Sequence, residues 1–429
     1  MPTPYPAAPS DVYHVKPIPL PELLRTFFVF GVIGFGGPAA HLVLMERELV
    51  NKRGWLSRQH FLDLLAAINL VPGPNSTEMA LHIGLLAGGL PGMFAAGAGF
   101  ILPAVFFSVL LAMVYLSAGS VPAVRGLLIG VEPVILALIL SAGYRLAKKA
   151  LDSRAMRLLC VAALGIVIVS TDSLMGLVGG RALFAIHELV LLLGAGAAYL
   201  LLRRPVVGAI TAALPMLPGV DLIGRWGAQL ATTLTPMVFD IFWRFLVIGG
   251  TLFGSGYVLA SYMQRAFVQE TAWFTPQQLL DVLAIGQSTP GPVLSTAAAA
   301  GYVMLTPAGG VGAGIVGAVA GTVGVFLPAF LVVLLLGRLV PYLRRYPLVL
   351  EFLKGVNAGV IALLVGTFAN LALTVLVRPD GGAGLAALDW IALAMTVGAF
   401  IGLERLNLGP VWLTVIGAGL GILRINVGV

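Results

Sequence analysis

Residues 55–74 read WLSRQHFLDLLAAINLVPGP, and residues 273–292 read WFTPQQLLDVLAIGQSTPGP. At an offset of 218 they share Trp55 and Trp273, Gln59 and Gln277, Leu62 and Leu280, Asp63 and Asp281, Leu65 and Leu283, Ala66 and Ala284, and the whole Pro-Gly-Pro, nine identities in twenty positions. The chain therefore holds one unit twice. Upstream, Phe35-Gly36-Gly37-Pro38 stands opposite Phe253-Gly254-Ser255-Gly256 at the same offset. Downstream, Leu102-Pro103-Ala104 matches Leu327-Pro328-Ala329 and Gly130-Val131 matches Gly355-Val356, now at an offset of 225. The second unit thus gains seven residues, which the Gly-rich stretch 307–314 is expected to hold.

Both copies lie in a chain built for lipid. Of 429 residues 59% are hydrophobic and 10% charged, with a mean hydropathy of +1.01; a soluble domain carries about 25% charged residues. This composition predicts an all-α integral membrane protein. Apolar stretches long enough to cross a bilayer are read at 23–45, 93–116, 126–147, 184–202, 238–263, 311–337, 350–377 and 409–425, with shorter ones at 156–171 and 386–402, ten crossings in all. The first 20 residues are Pro-rich and show no basic start followed by an apolar core and a small-residue cleavage site. No cleaved signal peptide is expected. The division that follows is a tail at 1–20, a first repeat at 21–204, a linker at 205–237 and a second repeat at 238–429.

The basic residues orient the copies. In the first, the loop before the Trp segment holds Arg47, Lys52, Arg53 and Arg58, whereas the loop near 117–124 holds none; in the second, Arg265 stands beside Glu270 early and Arg338, Arg344 and Arg345 come late. Under the positive-inside rule the two units lie upside down relative to each other. From Gln59 to Val71 the chain has about 20 Å of helix, enough to pass the midplane of a core about 30 Å thick but not to cross it. Each repeat is therefore expected to hold about five transmembrane helices plus one Pro-Gly-Pro re-entrant hairpin, and the linker to be an interfacial or cytoplasmic connection.

Non-helical backbone at membrane depth persists only where protein or a water-filled cavity satisfies it. Pro72, Gly73 and Pro74 stop one half-helix and start the next, so Asn75, Ser76 and Thr77 open a helix whose free N–H groups and positive dipole end suit an anion. Ser288, Thr289, Pro290, Gly291, Pro292 and Ser295 repeat the device, and Gly36, Gly37, Pro38 with Gly254, Ser255, Gly256 add a second break per unit. Inverted repeats with broken helices meeting at the midplane are the architecture of many secondary transporters. Charged groups inside apolar segments are candidates for moving a proton or balancing charge. Glu78, one turn past the first break, heads them; a capping box with Asn75 is its structural alternative. Asp63 and Asp281 in the repeated half-helix, and Arg25 and Arg244 at the start of each unit, follow, with His41, His82, Glu132 and Lys354 behind.

Other functions are excluded by what the residues lack. Cys160 is the single cysteine, so no internal disulfide or thiolate cluster forms. The five histidines show no helical metal-site spacing and no phosphate-binding loop occurs, so no metal, cofactor or enzymatic activity is expected. The net charge of +7 comes from loops beside membrane crossings and signals no nucleic acid.

The run FGVIGFGGP (30–38) with GWLSRQHFLDLLAAINLVPGP (54–74), and the diverged second copy ending Gln287-Ser288-Thr289-Pro290-Gly291-Pro292, resembles the chromate ion transporter family in its long, two-domain bacterial form. The likeness covers roughly 21–150 and 240–375, with the family's motif falling on Gly34, Phe35, Gly36, Gly37, Pro38, Pro72, Gly73, Pro74, Pro290, Gly291 and Pro292; Gly256 stands where the first copy has Pro38. It implies export of chromate across the bacterial inner membrane, driven by the proton gradient, with sulfate as the chemically similar competitor. The implied partners are that oxyanion and the lipid bilayer, and a homodimer is compatible with such a chain. A transporter of sulfate or another oxyanion and a passive anion channel are the alternatives.

Overall fold

The computed structural model describes residues 15, 17–68, 71–118, 121–176, 179–183, 187–203, 236–253, 256–336, 347–378 and 387–427, and the described chain is almost wholly helical. Five helices are long and apolar enough to cross a membrane: Asn75–Ala118, Pro122–Ala150, Val293–Leu335, Leu348–Leu376 and Pro410–Val427. It is a multi-pass membrane protein. The linker expectation, most of the tail, and Gly254 and Ser255 fall outside the described residues.

The first unit begins with two pairs of short helices. Helix α1 (Leu20–Ile33) ends at Gly34, and α2 (Gly37–Met45) runs on into π-helical turns at Glu46–Lys52. Arg53, the next residue, donates to Glu22 at 3.3 Å and to Thr26 at 3.2 Å, so the chain has returned to the level at which α1 began. The stretch 23–45, expected to be one crossing, is instead a folded-back pair. Hydropathy registers the length of an apolar run and is blind to a reversal inside it. The second pair is α3 (Arg58–Ile68), capped by Ser57 accepting the His60 N–H at 3.2 Å, and the first limb, 75–87, of α4 (Asn75–Ala118). Non-helical backbone at Gly88 and Gly89 then turns α4 sharply. The Ile18 N–H donates to Ala87 at 3.1 Å, which brings this turn to the foot of α1. From there the second limb, 90–118, runs about 43 Å to the far end. It is followed by α5 (Pro122–Ala150), α6 (Arg154–Val169) and α7 (Glu188–Arg203).

The second unit repeats this order. Helix α8 (Pro236–Thr251) and α9 (Leu259–Met263), continued by π-helical turns at Gln264–Glu270, form its first pair, closed by Arg244 donating to Glu270 at 2.9 Å. The stretch 238–263 is thus also a folded-back pair, not a crossing. Helix α10 (Pro276–Ser288) starts with a complete Thr275/Gln278 capping box at the position of Ser57, and it pairs with the first limb of α11 (Thr296–Leu336), which breaks at Gly309 and Gly310. Helices α12 (Pro347–Leu376), α13 (Trp390–Glu404) and α14 (Pro410–Val427) follow. Each unit therefore has two folded-back pairs where one was expected, with fewer full-length helices after them. The seven extra residues are split as well. Three form the 3-10 turn Val293–Ser295 ahead of α11, and four lie beyond Gly310 in its second limb. Counted from the helix starts at Asn75 and Thr296, the counterpart of Glu78 is Ala299, not Thr296.

The packing is reciprocal. Helix α5 lies on α14 and its counterpart α12 lies on α7; α6 packs on α12 and α13 on α5. Small residues allow the close approach, as expected where lipid offers no hydrophobic drive between helices: Gly130 abuts Gly417 and Gly421, and Gly355 abuts Ala195 and Gly196. The two feet lie at opposite ends of the bundle. The limb 90–118 starts beside the foot of α1, and near its other end Tyr115 donates to Asp281, in the second turn of α10, at 2.9 Å.

Candidate functional site at the hairpin tips

The four folded-back pairs point their tips at one another. Gly73 donates its N–H to the carbonyl of Leu252 at 2.8 Å, and Gly291 donates its N–H to the carbonyl of Gly34 at 2.7 Å. Gly73 and Gly291 are 218 residues apart, and so are Gly34 and Leu252. One bond is the image of the other, as in an isologous two-fold contact between subunits. Both donors need glycine: φ is +152° at Gly73 and +84° at Gly291, and a Cβ at Gly73 would fall on the Glu78 carboxyl.

Around the first tip, Gly37, Gly73, Pro74, Ser76, Thr77 and Glu78 are buried, while Gly36, Pro38, Pro72 and Asn75 are partly exposed. His41 ties the tips together. Its Nε2–H donates to the Gly34 carbonyl at 2.9 Å, the same oxygen that receives the Gly291 N–H, and its Nδ1 accepts from the Ser76 hydroxyl at 3.3 Å. Phe100 lies edge-on to the ring, with centroids 5.2 Å apart. Glu78 is fully buried and neither carboxyl oxygen has a hydrogen-bond partner; the Thr77 hydroxyl is also buried and unpartnered. The capping box with Asn75 is therefore not made.

The second tip is built of neutral hydroxyls. Ser108, from the second limb of α4, donates to Ser295 at 3.0 Å and lies 3.4 Å from Thr289, which is 3.5 Å from Ser295 and donates to the Gly286 carbonyl at 2.9 Å. All three are buried. Ser288 instead bonds back to Ala284 at 2.7 Å and Thr296 to Val293 at 2.7 Å, while Pro290, Gly291, Pro292 and Gly256 are buried around them.

The remaining charged candidates do not reach the tips. Arg25 is exposed, and Asp63 accepts from Gln59 at 3.2 Å near the first foot. Arg244 is held in the second foot by Asp240 and Glu270. Burial alone would raise the Glu270 carboxyl, but Arg265 and Arg244 more than offset it and hold it below the ordinary carboxylate range. Asp281 lies about two turns before the tip in a buried network: Gln277, one turn away on α10, donates to Glu132 of α5 at 2.5 Å, and Tyr115 donates to Asp281. Among the described residues no group of three His, Cys, Asp or Glu side chains is placed to hold a metal. Sequence reasoning missed Ser108 entirely and ranked His41 low. A residue-by-residue comparison of the copies flags both, since their counterparts are Val333 and Leu259.

The family description "Chromate transporter" matches residues 21–200 and 239–422, in both halves of the chain. The chain belongs to the chromate transporter family. A chromate transport protein of Pseudomonas aeruginosa is 32% identical over 357 residues, covering 83% of this chain and 82% of its own. A chromate transport protein of Cupriavidus metallidurans is 27% identical over 368 residues, covering 85% and 86%. An uncharacterized transporter of Bacillus subtilis is 34% identical over 118 residues, only 28% of this chain but 66% of its own length. No solved structure matches. The family and these relatives are transport proteins, not enzymes.

Proposed function

We propose that the protein is a secondary transporter that exports chromate, or a sulfate-like tetrahedral oxyanion, across the bacterial inner membrane in exchange for protons. The observation that carries this reading is the reciprocal pair of bonds from Gly73 to Leu252 and from Gly291 to Gly34. It supports two repeats related by a pseudo-twofold axis, and the feet at opposite ends support an axis in the membrane plane with the folded-back pairs entering as re-entrant hairpins. With Arg47, Lys52, Arg53 and Arg58 around the first foot, and Arg145, Lys148, Lys149, Arg154 and Arg157 in the helix ends on either side of the α5–α6 turn, that end is assigned to the cytoplasm.

The tips offer an oxyanion what it needs: hydroxyls at Ser76, Thr77, Thr289 and Ser295, helix starts at Asn75 and Thr296, and exclusion from bulk water. Outward movement of a dianion is favoured by a negative-inside potential. Export driven by entering protons requires proton and anion to load the tips alternately, and Glu78, buried and unpartnered at the first tip, is the acid assigned to that exclusion. Uptake of labelled chromate into inside-out vesicles tests this. Uptake should rise when the vesicle interior is acidified and fall when unlabelled sulfate is added. Uptake indifferent to the pH gradient would reduce the protein to a passive anion path.

A further inference from the structure

We propose that Ser108, Thr289 and Ser295 form the seat that grips the oxyanion, so that a residue of the first unit completes the binding site at the tip of the second. The inference rests on the reading of the chain as an oxyanion transporter and assigns the anion to one tip. Three buried hydroxyls from three separate segments converge at 3.0, 3.4 and 3.5 Å. Two of these separations are longer than an O–H···O bond, which spans about 2.5–3.0 Å. The three oxygens therefore hold one another loosely; Ser295 has a hydrogen to turn toward an anion by a torsion alone, Ser108 exchanges its bond to Ser295 for one to the anion, and Thr289 does so by giving up its bond to the Gly286 carbonyl. Hydrogen bonds from hydroxyls to an anionic oxygen are shorter and about twice as strong as neutral ones. Among the described residues no acidic side chain hydrogen-bonds to the three, so an arriving dianion meets donors and no adjacent competing carboxylate.

The comparison between the repeats separates this seat from ordinary packing. The counterpart of Ser108 is Val333 and that of Thr289 is Val71, both buried, while Ser295 lies in the three-residue turn that the first unit lacks. At the two positions with a counterpart, the same backbone packs with valine, so packing does not require these hydroxyls. They are gathered where Gly291 reaches Gly34, beside the junction of the four tips. A cleft of about 280 Å³ comes within one helical turn of them, lined in part by Leu111, Tyr115, Ala284, Ser288 and Thr414.

Counterflow of labelled chromate in proteoliposomes tests the assignment, with S108A and S295A as the two hydroxyl deletions and S108T as the variant that keeps the hydroxyl. S108A and S295A should each raise the KM for chromate about tenfold or more, as expected for losing a hydrogen bond to a charged group, and weaken sulfate inhibition in parallel. The maximal rate should change less, and S108T should stay within about threefold of wild type. Purified S108A and S295A that run as single species yet keep the wild-type KM would show that the triangle only packs. Wild-type protein without chromate counterflow would overturn the transport reading itself, and the seat with it.

Discussion

At the first tip a buried carboxyl, Glu78, lies against Gly73 with no hydrogen-bond partner, and His41 binds Ser76 to Gly34; at the second tip Ala299 and Leu259 occupy the equivalent places, and three hydroxyls cluster instead. The backbone that makes the tips is shared and the chemistry on it is not. A duplicated scaffold supplies the symmetric turn, and divergence has given one copy the titratable groups and the other the neutral donors. On the proposed reading a proton and a dianion have separate seats, one at each tip, and the Gly34 carbonyl, which accepts from both His41 and Gly291, bonds the two tips together.

Substitutions at the shared backbone should have the largest effect. G73A and G291A each place a Cβ at positive φ, against the Glu78 carboxyl in one case and 2.8 Å from the Ala104 Cβ in the other. Strain of this kind costs on the order of 1–3 kcal/mol before any clash is counted. Both variants should lose at least nine-tenths of chromate transport in the vesicle assay (~10-fold), and equal losses would affirm the two-fold relation of the tips. The next effect belongs to one tip only. E78Q should leave chromate counterflow largely intact while abolishing its response to a pH gradient; a variant that still exports with wild-type pH dependence would move the coupling acid to the Glu132–Asp281 network. H41L, which installs the second unit's residue, removes two hydrogen bonds worth about 1 kcal/mol each. It should lower the thermal midpoint of purified protein by a few degrees and slow transport, whereas L259H should gain nothing.

The smallest effect lies at the feet. In the first unit Arg53 on the returning segment reaches Glu22 on the outgoing one, and in the second the signs are exchanged, with Arg244 outgoing and Glu270 returning. Because Arg265 and Arg244 hold the Glu270 carboxyl below its ordinary range, this pairing stabilises the fold above about pH 4 and is lost as pH falls through the lowered folded value. E270Q should therefore lower the midpoint slightly at pH 7, and the gap to wild type should close on acidification. A gap that widens toward acid would invert the sign of the contribution.

How far the sequence discloses this architecture depends on what kind of signal each part leaves. The Pro-Gly-Pro turns are legible because two prolines around a glycine in an apolar run leave a backbone few alternatives, and the second copy repeats them at a fixed offset. The reversals at Gly34–Gly36 and after Leu252 are legible only as breaks, because glycines in a hydrophobic segment serve close helix contacts as readily as turns and leave open whether the run spans once or folds back. Ser108 is silent for a similar reason: one serine in a long apolar helix resembles many others until its counterpart is seen to be Val333. The three added residues at Val293–Ser295 blur the register so that Glu78 pairs by eye with Thr296, when the helix starts put it opposite Ala299.

Labelling of single cysteines in a background without Cys160 tests the central relation between the units most directly. Lys52 and Gln269 are both exposed and lie beside the first and second feet. In intact cells a membrane-impermeant maleimide should react with cysteine at position 269 and not at position 52, and in inside-out vesicles the pattern should reverse. Reaction of both from the same side would contradict an inverted pair of repeats whose tips meet inside the membrane.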